Sequence, residues 1–220
     1  MDKKSLEFLI EAGKVLNSKL EVRALTSLIY DLVVAALDCE TCSLGRLDEK
    51  NGSLRILLAF GHGGPEVSPF AIGMGEGVMG LVARRGKPLL INDTGDLSRH
   101  IDSIGSAFYV KKRNSLCVPL MRGGEVIGAL EAINKETGDF TSTDLEMLTA
   151  LAEEIAISLD NARLYEAVRK ESKQKELLYR VGVRISSSLD LAEVLELILD
   201  SLGEVVEFDA GGIYLVDPET

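Results

Sequence analysis

Two of the chain's three cysteines, Cys39 and Cys42, stand in "DCETCSLGRLD" with a spacing used by zinc sites and dithiol redox pairs. Zinc needs a second pair of ligands, and Cys117, His62 and His100 lie far from this pair and from one another. A thioredoxin-like dithiol opens a helix, whereas this pair leads into a strand. The chain also carries a second version of the stretch. Aligning Leu20 with Leu189 lays "LEVRALTSLIYDLVVAALDCETCSLGRLD" on "LDLAEVLELILDSLGEVVEFDAGGIYLVD", with apolar positions coinciding nearly throughout. In that alignment Cys39 meets Phe208 and Cys42 meets Gly211. A thiol site is not served by phenylalanine and glycine, but a buried helix-to-strand corner is. We therefore read both cysteines as core. Cys117, in "SLCVPL", is read as a small buried hydrophobe.

The remaining candidates are charged. Glu131 sits in "EVIGALEAIN", a strand of small and apolar residues, where a carboxylate is costly unless it is paired. It contacts a ligand, holds a pocket cation, or is satisfied by backbone or by Lys135. Lys135 and Asp144 are placed to form an ion pair that clamps the last hairpin to the long helix. The loop "INDTGDLSRHIDS" holds Asp93, Asp96, Arg99, His100 and Asp102. Loops over pockets often carry recognition. Arg99 suits bidentate contact with a carboxylate or phosphate, and the alternative is a solvated loop with an aspartate as helix cap. His62 and His100 are in principle haem ligands, although a histidine in a glycine-rich loop is more often solvated. There is no Ser-His-Asp set, no phosphate loop and no metal cluster, so the chain is expected not to be an enzyme.

A net charge of −11 argues against nucleic acid or an anionic membrane as a partner, since either calls for clustered Lys and Arg. No apolar run approaches the ~20 residues of a membrane span, and "MDKKSLEFLIEAGK" breaks its only apolar stretch with Glu7 and Glu11, unlike a signal peptide. An odd, sparse cysteine count fits a reducing cytoplasm. The internal repeat divides the chain into a full domain over 1–170, a helical connector over 160–188 and the opening of a second copy over 175–220. The sequence reads as the front of a longer protein, and residues 177–216 are expected to expose an apolar face.

These residues need elements to hold them. Apolar spacing of three and four predicts helices over 5–17 and 22–37. "SLGRLD" and "LRILLAF" read as strands joined across Asn51-Gly52. "VMGLVARRG" is a short helix closed by Gly86, and "PLLIN" a strand. "SLCVPL" and "EVIGALEAIN", joined across Gly123-Gly124, are apolar on both faces and so belong in the middle of a sheet covered on two sides. Residues 93–113 are irregular. Thr141 and Asp144 then stand at capping-box spacing before a stretch without proline. About 45 residues at about 1.5 Å each would make roughly 65 Å of helix. Its seam, Leu145, Leu148, Ala152, Ile155, Leu159 and Ala162, alternates three and four apart like a coiled-coil face and ends at Glu166. That pattern predicts a homodimer through the terminal helices.

Three pieces in this order resemble the GAF family of sensory domains: "GMGEGVMGLVARRGKPLLIND", "RNSLCVPLMRGGEVIGALEAINK" and "DFTSTDLEMLTALAEEIAISLDNARLYE". The resemblance covers about residues 5–170, and the stretch from 175 resembles the start of a second such domain. It implies an α+β fold: a six-stranded antiparallel sheet with helices on both faces, a small-molecule pocket, and a long C-terminal connector helix. It also implies a regulatory sensing and dimerisation module ahead of an output such as a histidine kinase, diguanylate cyclase or phosphatase. The alternative is a ligand-free dimerisation module with a vestigial pocket. Asn134, Lys135, Phe140 and Asp144 match a motif of cyclic-nucleotide-binding members, with Leu145 where that motif has glutamate. Ser43, Phe60, Val78, Met79, Asp93 and Glu131 resemble pocket positions, joined by Asp96 and Arg99 from the loop. Gly61 and Gly95 depart from the aspartate and the stacking aromatic of such pockets. The implied ligand is therefore a cyclic nucleotide or another small molecule. A related branch reduces free methionine sulfoxide, but Cys39 and Cys42 are not at its loop positions.

Overall fold

A computed structural model describes residues 3–18, 21–48, 50–61, 64–65, 71–93, 112–187, 195–196, 198–200 and 210–214. It divides into two compact units, Met1–Tyr165 and Glu166–Thr220. In the first unit, helices α1 (Lys3–Asn17) and α2 (Val22–Leu37) lead into the strands β1 (Cys39–Asp48), β2 (Ser53–Gly61), β3 (Gly64–Pro65) and β4 (Ala71–Gly73). Helix α3 (Gly77–Arg85), strands β5 (Leu89–Ile91), β6 (Ser115–Arg122) and β7 (Glu125–Lys135), and the long helix α4 (Ser142–Ser187) follow.

Every pairing is antiparallel, and the order across the sheet is β3-β2-β1-β7-β6-β5, with β4 also pairing with β2. Because β3 and β4 both pair with β2, the sheet is six strands wide, as expected. Strand β7 runs through its middle. The hairpin between β6 and β7 turns on Gly123 and Gly124, at φ 59° and 89°, where side chains are disfavoured. Strand β1 starts at Cys39, earlier than its sequence suggested, so both cysteines lie within the ladder.

Side chains on a strand alternate between faces, and the two faces are unlike. Leu44, Leu58, Leu116, Val118, Leu120, Leu130 and Ala132 pack into one large cluster with α1, α2 and α4. Helix α2 contributes Leu25, Ile29, Val33 and Leu37, each one turn apart. On the other face Leu54, Ile56, Cys117 and Ala129 meet Val78, Met79, Val82 and Ala83 of α3.

One expectation is overturned here. Leu148, Ala152, Ile155, Leu159 and Ala162 are buried in the domain's own core, together with Leu151 and Ala156. A seam that covers its own sheet is not free to face a partner helix. The same three-four spacing serves either purpose, and only packing tells them apart. The apolar residues that α4 leaves exposed come later, at Leu164, Tyr165 and Val168, while α1 exposes Leu6 and Ile10.

The capping box forms as read. The Thr141 N–H donates to Asp144 at 2.7 Å, and the Asp144 N–H donates to the Thr141 hydroxyl at 3.3 Å. In the second unit α4 continues through Gly182, and Leu178, Tyr179, Val183 and Tyr214 are exposed.

Candidate functional site

The α3 face buries a charged group together with polar ones. Ser43 on β1 and Cys117 on β6 stand directly opposite Glu131 on the intervening β7, so the three side chains share that face. Val78 and Met79 of α3 are buried over it. The turn into α3 is tight because Gly80 comes close to the preceding backbone. A Cβ there would stand 2.4 Å from the Gly73 carbonyl oxygen, so only glycine fits. The Gly75 N–H donates to the Gly80 carbonyl at 2.8 Å, and the Gly73 N–H donates to the Glu76 carboxylate at 2.7 Å. Gly86, at φ 63°, ends the helix. The glycine-rich motif thus seats α3 on the sheet.

Glu131 is only 2% exposed. Its Oε1 accepts from Lys112 Nζ at 2.7 Å and from Ser115 Oγ at 2.6 Å. The Lys112 side chain is itself mostly buried, at 15% exposure. Lys135 is therefore not the partner of Glu131. The backbone of Asn134 takes a left-handed turn, φ 59°, which breaks the strand's alternation. Lys135 is delivered to the helix side, where its Nζ donates to Asp144 at 2.8 Å and to the Leu37 carbonyl at 3.0 Å.

Asn134 suits that strained position because its side chain is used twice. Its amide oxygen accepts from the Arg113 N–H at 2.6 Å, and its amide nitrogen donates to Glu40 at 2.7 Å. Burial alone would raise the Asp144 carboxyl. The hydrogen bonds from Lys135 and from Thr141 outweigh that effect and hold it below the usual range. Phe140 is buried, and the Asn92 side chain clamps its backbone, donating to its carbonyl at 2.9 Å and accepting from its N–H at 3.1 Å. The four motif residues thus form a brace joining the end of β7 to the start of α4.

Of the pocket positions read from the sequence, Ser43, Val78, Met79 and Glu131 come together on one face. Asp93 is exposed just beyond β5. Phe60 and Gly61 lie in β2, where only their backbone is described. Asp96, Arg99, His100, Asp102, Gly95 and His62 fall outside the described residues. Lys112, Ser115 and Asn92 were missed. A lysine just ahead of an apolar strand that faces a glutamate strand was the available signal, and it becomes legible only once β6 is paired with β7.

All three cysteines are free and buried. Burial pushes the Cys39 thiol up to about 11 and raises Cys42 and Cys117 well above the ordinary thiol range. Such thiols are poor nucleophiles and poor metal ligands near neutral pH. Among the described residues no group of His, Cys, Asp or Glu is arranged to hold a metal, and no helix is long and apolar enough to cross a membrane.

What this arrangement offers chemically is a carboxylate, a hydroxyl and an ammonium on a mainly apolar face between a sheet and a short helix. Such groups can accept and donate hydrogen bonds, to one another or to a polar molecule. Residues 19–160 match the GAF domain family, and the chain belongs to it. GAF domains are sensory and regulatory modules of signalling proteins, and they bind small ligands.

The chain is 26% identical over 223 residues to the dual 3′,5′-cyclic-AMP and -GMP phosphodiesterase 11A of Takifugu rubripes, covering 96% of this chain and 25% of that protein. It is 25% identical over 193 residues to the probable 3′,5′-cyclic phosphodiesterase pde-5 of Caenorhabditis elegans, covering 83% of this chain and 26% of that protein. The chain thus spans about a quarter of the length of these relatives. Among solved structures, the GAF domain of an Acinetobacter phosphoenolpyruvate-protein phosphotransferase superposes with a TM-score of 0.62 at 22% identity, covering 74% of this chain and 97% of that one. The free methionine-R-sulfoxide reductase of Neisseria meningitidis, with its substrate, gives 0.58 at 20%, covering 75% and 95%. These likenesses are of fold.

Proposed function

We propose that this chain senses a small molecule on the α3 face of its sheet and passes the occupancy of that site along α4 to an output domain of a signalling protein. The observation that carries this reading is the state of Glu131. Among the described residues both of its hydrogen bonds fall on Oε1, so Oε2 is the acceptor left for a ligand. A carboxylate held this deep is costly, and a ligand bearing N–H or O–H donors would repay part of that cost. A cyclic nucleotide offers such donors on its purine edge, and the names of the two phosphodiesterase relatives put cyclic nucleotides among the first compounds to try.

The brace of Asn134, Lys135, Phe140 and Asp144 supports a mechanical reading. It ties the end of the ligand-bearing strand to the start of α4, so a shift in β7 reaches the helix. We place the protein in the cytoplasm and read it as a homodimer, with Leu6, Ile10, Leu164, Tyr165 and Val168 as the contact residues in place of the buried seam. We read residues from 175 onward as the opening of a second GAF domain. We assign the chain no catalysis of its own, a view supported by the buried, unreactive thiols.

The alternative is a dimerisation module with a vestigial pocket. It is favoured by Lys112, which already satisfies Glu131 from within the chain. A thermal-melt screen of the full chain against cyclic AMP, cyclic GMP, amino acids and small organic acids separates the two. A ligand at about 100 times its dissociation constant adds roughly 2.7 kcal/mol, which at this size is worth several degrees. A shift with one compound that disappears in Glu131→Gln supports the sensor. No shift with any compound, in a chain that is still dimeric, supports the alternative.

A further inference from the structure

The opposite face of the sheet carries a cavity of about 440 Å³ at its hairpin end. Strand register places Arg46 of β1 directly opposite Arg55 of β2. On the other side of Arg46 the neighbour is Gly128 of β7. That glycine is enforced by packing, since a Cβ there would stand 2.3 Å from the Gly45 carbonyl oxygen. No side chain from β7 therefore covers Arg46 at this point. Leu159, Asp160 and Arg163 of α4 close the cavity from above.

Two guanidinium groups facing each other across neighbouring strands repel. The carboxylates nearby are already engaged. Asp48 lies 3.7 Å from Arg55 and accepts from the Lys50 N–H and the Asn51 side chain. Asp160 lies 3.4 Å from both Arg122 and Arg163. Lys50 and Glu125 also line the cavity and offset each other in charge. Arg46 is half-buried, and among the described residues its side chain has no ion pair or hydrogen bond. In a chain of net charge −11 such a grouping calls for an explanation. A guanidinium drawn partly out of water and left unpaired is costly, and an oxyanion offers it two parallel hydrogen bonds.

We propose that this cavity binds a small oxyanion-bearing molecule, a phosphate ester or a carboxylate, held between Arg46 and Arg55 and capped by Arg163. Because Arg163 belongs to α4, occupancy ties that helix to the hairpin end of the sheet. The site is separate from the α3 face and stands or falls independently of it.

The test is calorimetric titration of the full chain at constant ionic strength with pyrophosphate in one arm and citrate in the other, repeated for Arg46→Gln, Arg163→Gln and the surface control Lys3→Gln. The expected result is one saturable site per chain for at least one probe, and the arm that binds names the oxyanion. Arg46→Gln and Arg163→Gln should each weaken binding tenfold or more, while Lys3→Gln binds as the wild type does. Without probe, Arg46→Gln should melt at the wild-type temperature or above it, because its repulsion with Arg55 is gone. The proposal is overturned if neither probe binds, if both arginine variants bind normally, or if Lys3→Gln loses as much as they do. It is also overturned if Arg46→Gln melts several degrees lower, since the arginine would then be structural.

Discussion

The two faces of the central sheet are built on different terms. The face under α1, α2 and α4 is filled by large aliphatic side chains such as Leu16, Leu44, Leu120, Leu130 and Leu148, all fully buried. The face under α3 carries a smaller apolar cluster, including Leu54, Ile56 and Met79, and on it Ser43, Ser115 and Glu131 are also buried. A strand such as β7 serves both, with Leu130 on one side and Glu131 on the other. Burying a leucine is worth roughly 1.5–3 kcal/mol, whereas burying a carboxylate costs free energy that its partners must recover. The helix face therefore supplies the stability that lets the α3 face keep a charged group at its centre. Adjacent residues of one strand can thus differ in kind, one adding stability by burial and one needing partners to be buried at all.

The contrast can be broken by mutation, most severely on the helix face. Leu130→Ala should cost about 3–4 kcal/mol, because it leaves a cavity in the middle strand. At this chain length that corresponds to a fall in Tm of roughly 2–4 °C per kcal/mol. A loss below about 1 kcal/mol in a denaturant titration would mean that the two faces do not divide the work as argued. Glu131→Leu comes next, at about 2–3 kcal/mol, since it strands Lys112 in a mostly buried position. Adding Lys112→Met should recover most of that loss, because two apolar groups then replace the ion pair. A double variant no more stable than the single one would show that the cost is not electrostatic.

The brace between the faces is the next test. The Asp144 carboxyl is depressed in the folded protein, so its contribution is present above its unfolded value, about 3.9. That contribution is lost as pH falls through the lower folded value. Asp144→Asn should cost about 1–2 kcal/mol at neutral pH, and the gap from wild type should close below about pH 4. A gap that stays constant through that range would argue against the Lys135 pair and the cap. The smallest effect is expected on the outer surface. Leu164→Ser with Val168→Ser should change the stability of the isolated fold by less than about 0.5 kcal/mol. If these residues form the dimer contact, sedimentation will show the pair shifting the chain toward monomer, and an unchanged association state would remove them from it.

Much of the framework was legible from residue order. The period of three and four gave α1 and α2 within a residue or two. Gly86, Gly123 and Gly124 marked the ends of elements because only glycine tolerates those turns, and the spacing of Thr141 and Asp144 located the start of α4. Lys135 with Asp144 was also readable, because both border a short loop. The partner of Glu131 was not. Lys112 is distant from it in sequence, and the left-handed turn at Asn134 that removes Lys135 from contention is a backbone property that a strand pattern does not disclose. The seam of α4 was misread for a related reason, since a three-four apolar stripe says that one face is covered but not by what.

On its own, then, the order of residues determined which elements form, where they end and which side of each is apolar, because these follow from local sterics and the periodicity of helix and strand. Only the tertiary structure decided which apolar stripe faces which. It alone paired Glu131 with Lys112 across β6 and β7, and it set Arg46 opposite Arg55 beside a glycine. Those pairings depend on strand register and on the approach of segments far apart in the chain, where packing and charge, rather than local preference, select the partner.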